Sequence, residues 1–140
     1  MAILEESRLR HIAALYTAAW CSQNAASVAA FYSPGGSLRV NESPPAVGRA
    51  AITKEAQGFM TAFPDLKVTM DGLSVDRDHI VYRWTLAGTN TGPGGSGKRV
   101  RISGFEEWKL DAGGLISESR GHFDNREYQR QLRESVTERG

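Results

Sequence analysis

The chain has 140 residues, 40% hydrophobic and 24% charged, with seventeen Lys and Arg against sixteen Asp and Glu for a formal charge of +1. That is the composition of one ordinary globular domain, long enough to bury a core and neither disordered nor membrane-like. No basic run interleaved with aromatics occurs and no apolar stretch approaches a membrane span, so nucleic acid and membrane are excluded as expected partners. The start, MAILEESRLR, is too acidic for a secretory signal. A single cysteine, Cys21, excludes an internal disulfide. The expectation is a cytoplasmic protein with one domain over residues 1–140.

Leu9, Ile12, Ala13, Tyr16 and Trp20 repeat at helical spacing, which predicts an amphipathic helix over residues 4–21. Asn24 is placed to cap a short second helix with Val28, Phe31 and Tyr32 on one face, ended by Ser33-Pro34-Gly35-Gly36. Residues 37–41 read as a short strand, and Pro44 and Pro45 keep the following loop irregular. A third helix runs from about Arg49 to Pro64, with Ile52, Ala56, Phe59, Met60 and Phe63 on one side. After Pro64 the period changes to two. Residues 66–76, 79–89, 98–110 and 115–123 read as strands rich in Val, Ile and aromatics. Their connections are too short for parallel crossovers, so this meander is antiparallel. Asp124, Asn125, Arg126 and Glu127 make a capping box for a last helix towards Leu132. Helices packed on one face of such a sheet define an α+β layer architecture.

The segment 98–110 carries the most chemical information. Its even positions are Lys98, Val100, Ile102, Gly104, Glu106, Trp108 and Leu110, and alternation points that set inward. Glu106 then sits on an apolar face, beside Trp108 and the gap left by Gly104. An unpaired buried carboxylate tends to protonate, and such a group relays protons at neutral pH. The plainer reading is a strand-end carboxylate that pairs with an Arg or reaches solvent. His11, His79 and His122 are scattered without metal-ligand spacing, so no metal site is expected. Asp124 is explained by helix capping, and alternation puts His122 on the face opposite Gly121. The loop GPGGSGKR at 92–99 nearly matches a phosphate-binding loop, but Arg99 stands where magnesium needs Ser or Thr, and a strand follows instead of a helix.

Three stretches, GLISESRGHFDNREYQRQL at 114–132, GTNTG at 88–92 and PPAVGRAAI at 44–52, resemble the SnoaL-like polyketide cyclases. Those sit in the nuclear-transport-factor-2-like superfamily with ketosteroid isomerase and limonene-epoxide hydrolase. The resemblance covers nearly the whole chain. It implies a cone-shaped, curved antiparallel sheet, three helices closing one face around a pocket, and a homodimer. It aligns Glu106 with the acid of the isomerase oxyanion hole, and Tyr16 with the tyrosine that partners that acid. Asn41 falls where the isomerases keep their general base, and it resembles the asparagine that holds the attacking water in the epoxide hydrolases. The essential aspartate of the cyclases and epoxide hydrolases falls at Gly121, and a cyclase histidine falls at Ser119. Small residues at both positions would enlarge the pocket opposite Glu106.

These readings converge on a cofactor-free enzyme acting on a small, largely apolar carbonyl, enol or epoxide compound by acid–base isomerisation, cyclisation or hydration. Glu106 would transfer the proton, with Asn41 and Tyr16 orienting the ligand and His122 as a secondary candidate. Tyr82, Trp84, Leu86, Trp108 and Phe123 would wall the pocket. The alternative is a non-catalytic binding or dimerisation module of the same fold, favoured by the loss of an acid at 121 and of a base at 41.

Overall fold

The structure, a computed structural model, describes residues 5–77 and 79–135. The expected helix start at residue 4 and Asp78 of the expected reversal lie outside them. The elements in chain order are α1 (Glu6–Cys21), α2 (Ala25–Ala29), β1 (Tyr32–Val40), β2 (Ala46–Val47), α3 (Arg49–Ala62), β3 (Lys67–Asp76), β4 (His79–Thr89), β5 (Arg99–Leu110), β6 (Ile116–Phe123) and α4 (Asn125–Glu134). The six strands form one sheet in the order β2-β1-β6-β5-β4-β3.

Strands β3 to β6 form the expected antiparallel meander. β1 departs from expectation by joining it parallel to β6. It also starts earlier than the helical spacing of Val28, Phe31 and Tyr32 suggests. Tyr32 pairs with Ile116 and Ser37 with Glu118, so residues 33–36 are set against Ser117 alone. That bulge absorbs Pro34, which has no N–H to give a ladder. α2 therefore ends at Ala29, and Ser33-Pro34-Gly35-Gly36 belongs to the strand. Asn24 stands at the N-cap position of α2 without a side-chain cap bond.

One hydrophobic core lies between the helices and the concave face of the sheet. Leu9, Ala13, Tyr16 and Trp20 of α1 and Ile52, Ala56 and Met60 of α3 meet Tyr82, Trp84, Val100, Ile102 and Trp108 of the sheet. Arg10 of α1 donates to the Leu73 carbonyl (3.2 Å) and fixes that helix against β3.

α4 takes over where β6 stops. The β5–β6 ladder reaches only Gly104 and Phe123, which leaves the backbone of residues 99–103 without a strand on that side. Gln131, buried on α4, fills the gap. Its Oε1 accepts from the Arg101 N–H (2.7 Å) and its Nε2 donates to the Arg101 carbonyl (3.0 Å). Asp124 caps this helix by accepting from the Glu127 N–H (3.1 Å). The return half of the expected capping box is missing, because the Glu127 carboxylate is held by Arg130 and Gln131. Asp124→Ala should therefore cost about 0.5–2 kcal/mol in urea denaturation, while any activity survives wherever the protein stays folded.

Candidate active site

Pairing across the sheet arranges the inward side chains in rows. Tyr82, Glu106, Gly121 and Val40 form one row on β4, β5, β6 and β1. Ile80, Trp108 and Ser119 form the row on one side of it, and Trp84, Gly104 and Phe123 the row on the other. Alternation along β5 thus turns Glu106 inward, where it is only 7% exposed. Glu107, on the opposite face, meets solvent.

The two carboxyl oxygens of Glu106 differ sharply. Oε1 accepts three hydrogen bonds: from the Tyr16 hydroxyl (2.9 Å), the Trp108 indole N–H (2.9 Å) and the Ser119 hydroxyl (2.8 Å). No donor among the described residues reaches Oε2. Tyr16 gives its single proton to Glu106, so its contact with Tyr32 (2.9 Å) has the Tyr32 hydroxyl as donor. An oxygen that accepts three donors has no room for a proton of its own. When Glu106 is neutral, its proton sits on Oε2.

Glu106 lines a cavity between α1, α3 and the sheet, with Trp20, Phe59, Val68, Leu86, Ile102 and Phe123 among its apolar walls. Its empty volume is about 580 Å³, open solvent at the mouth included. Among the described residues, Glu106 is the one carboxyl on its wall. Tyr82 also lines it, but the Tyr82 hydroxyl is held by Thr17, whose own proton goes to the Ala13 carbonyl (2.8 Å).

Burial raises the Glu106 pKa, and the three donors on Oε1 oppose that rise without cancelling it. Burial also raises the phenols of Tyr16 and Tyr32, with the Glu106 charge second. A raised carboxyl pKa favours the folded state while the group is protonated in both states. That stabilisation is complete below about 4.5, the ordinary Glu value, and is lost as pH rises through the folded value. The stability difference between Glu106→Gln and wild type should accordingly grow in favour of the variant across that interval and then level off. Urea titrations at stepped pH would show it, and a difference flat with pH would contradict it.

Residues 10–132 match the SnoaL-like polyketide cyclase family. The chain belongs to that family. Among curated protein sequences, none matches it. Solved structures agree on the fold. TsrD from Streptomyces laurentii shares 20% identity at a TM-score of 0.81, covering 96% of this chain and 100% of its own. The epoxide hydrolase/cyclase-like enzyme SalBIII, tied to pyran ring formation in the polyether salinomycin, shares 18% at 0.75, covering 88% and 95%. A protein of ketosteroid isomerase-like fold from Catenulispora acidiphila DSM 44928, complexed with trimethylamine, shares 15% at 0.76, covering 86% and 91%.

Within this SnoaL-like fold the candidates separate. Glu106 and Tyr16 meet, with Tyr16 behind the carboxyl rather than on the cavity wall. Tyr82, Trp84, Leu86 and Phe123 line the cavity. Trp108 does not. It stacks on Tyr82 at 4.9 Å and serves Glu106 as a donor from behind. Asn41 holds a structural bond: its Oδ1 accepts from the Phe123 N–H (2.9 Å), and its own N–H donates to the Gly121 carbonyl, tying β1 to β6. His122 is on the outer face, stacked on Phe105 and bonded to Glu107 (2.9 Å), so alternation removes it from the cavity. Ser119 does not enlarge the pocket. It is fully buried and spends its hydroxyl on Glu106.

Three contributors went unnoticed at the level of sequence: Trp108 as a donor, Ser119 and Tyr32. Trp108 had a signal, because residues i and i+2 of a strand share a face. Ser119 follows once the β5–β6 register is known. Tyr32 had none while residue 32 read as helix. Among the described residues, no group of three or more His, Cys, Asp or Glu is placed to hold a metal ion, and no helix is long and apolar enough to cross a membrane.

Proposed function

We propose that this chain is a cofactor-free acid–base enzyme that isomerises or cyclises a small, largely apolar carbonyl, enol or epoxide compound, with Glu106 as the proton-transfer group. The observation that carries this reading is the division of labour within one carboxyl group. Three donors fix Oε1, and Oε2 is left for a ligand at the wall of an apolar cavity. In a cyclisation, Oε2–H gives its proton to an epoxide oxygen while the substrate's own hydroxyl attacks the ring carbon. The carboxylate then takes the hydroxyl proton and the acid is restored. In an isomerisation, the same oxygen protonates a carbonyl and then removes a proton from the neighbouring carbon. Tyr16, Ser119 and Trp108 are positioning residues that decide which oxygen carries the proton.

Hydration fits less well. An attacking water needs two to four polar partners, yet Asn41 is engaged by Phe123 and Gly121 has no side chain. A binding module is favoured by one observation: Glu106 has no second free acid or base beside it on the wall. A thermal-shift screen of small ketones, enols and epoxides, followed by single-turnover assays on each stabilising compound, separates the two. Turnover of any hit supports the enzyme; several tight hits with no turnover support the module. The homodimer expected from the resemblance is part of this reading. Phe105, 38% exposed on the outer sheet face, gives it an apolar contact, and sedimentation equilibrium tests it.

A further inference from the structure

Glu106 is a buried carboxyl that no cation of the cavity wall accompanies. Among the described residues, no Lys, Arg or His lines the cavity, and the three partners of Oε1 are two hydroxyls and an indole N–H. Buried charges are normally paired, so a carboxyl without a counter-ion keeps its proton until a cation arrives from outside. Oε2 is open to such a cation. Among the described residues, the single side-chain nitrogen or oxygen that is both sealed off and without a partner is Trp84 Nε1. Oε2 also lacks a partner, so it is not sealed off, and Glu106 lines the cavity. The wall around it is apolar and rich in rings, with Trp20, Phe59, Tyr82, Trp84 and Phe123 all bordering the same space. Aromatic rings attract a cation, and more strongly where water is excluded.

We infer that the cavity is a binding site for an alkylammonium ion, which donates an N–H to Glu106 Oε2 and sets its alkyl skeleton among the rings. An alcohol of the same skeleton gains one neutral hydrogen bond there, whereas the ammonium gains a charge-assisted one. The cost of placing an ion pair in an apolar cavity is offset in two ways. Tyr16, Trp108 and Ser119 support the negative charge from behind through Oε1. An amine can also arrive neutral and take the Oε2 proton in place: the O–H bond breaks, the N–H bond forms, and no net charge enters. The other titratable groups facing Glu106 are the phenols of Tyr16 on α1, Tyr32 on β1 and Tyr82 on β4. Burial raises all three, so Glu106 is the member of this cluster that changes charge. The inference goes beyond the proposed reaction, because it needs Glu106 as a carboxyl with a free oxygen and not as a catalyst. An amine can bind to a protein that turns nothing over, and turnover can be found where no amine binds.

The probes are cyclohexylamine and cyclohexanol, which share one apolar ring and differ in charge, titrated into the wild-type protein by calorimetry. Above the Glu106 midpoint the amine should bind about tenfold tighter, from the charge-assisted bond and the rings together. Its affinity should rise with pH through that midpoint, because the ammonium needs the carboxylate and the amine itself stays protonated over this range. Glu106→Gln should erase the preference, since the amide keeps the shape of the side chain and carries no charge. Should that variant fold poorly, the wild-type ratio and its pH dependence decide alone. Equal affinity for the two probes, no amine binding, an amine affinity that falls as pH rises, or the same preference in a folded Glu106→Gln protein would overturn the inference.

Discussion

Glu106→Gln is expected to lower the single-turnover rate by ~10²–10⁴-fold, the usual contribution of a positioned acid–base group, while the protein melts at the same temperature or higher. The amide is a close copy of the neutral acid. Its oxygen can take the place of Oε1 and accept from Tyr16, Trp108 and Ser119, and its NH₂ can face the cavity where Oε2–H stood. What the amide cannot do is lose a proton and take one back. The cost of ionising a buried group disappears with the substitution, which is why stability is level or improved. A ligand held by hydrogen bonding alone would bind the variant with little change. Full turnover in the variant would remove Glu106 from the mechanism.

The second large effect concerns two glycines on either side of Glu106. A Cβ at Gly104 would lie 2.3 Å from the His122 carbonyl oxygen and 2.7 Å from Trp84 Cζ2. The first of these is backbone of a paired strand and cannot turn aside. Gly104→Ala should therefore destabilise by about 1–3 kcal/mol, the range for overpacking a filled site, and should push the Trp84 ring into the cavity. Gly121 is different. A Cβ there would stand 3.4 Å from the Arg39 carbonyl oxygen and 3.7 Å from Glu106 Cγ, ordinary contact distances. Gly121→Ala should be nearly neutral in stability while trimming the cavity beside Glu106. Urea denaturation of both variants checks the contrast, and equal destabilisation would show that the close approach at Gly104 relaxes away.

The contrast between these glycines also marks where sequence reading reached its limit. Alternation along residues 98–110 was enough to place Glu106 inside and Glu107 outside, because a strand flanked by neighbours on both sides cannot slip by one residue without burying Arg99 and Arg101. The same period placed His122 outside. The turn residues and the helix stripes were equally local, and the meander followed from them. Of β1 only the second half was legible, as the short strand read over residues 37–41; its start and its parallel pairing were not, because that pairing joins residues about 80 positions apart and the bulge hides the alternation. The site suffered for that. Tyr32 starts β1 and Asn41 directly follows its end, so the Tyr32 contact with Tyr16 and the tie between Asn41 and Phe123 exist only once that strand is in place.

The proposed chemistry requires Glu106 to be a carboxyl group kept neutral above the ordinary range, with its proton on the cavity side. Carboxyl ¹³C chemical shifts of the glutamates, followed across pH and assigned with Glu106→Gln, measure this directly. The Glu106 carbon is expected to titrate above the ordinary glutamate value of 4.5, while Glu107, paired with His122 and His79 on the outer face, titrates below it. A Glu106 midpoint at or below that ordinary value would contradict a neutral Glu106, because the three donors on Oε1 would then be holding a carboxylate and no proton would face the cavity.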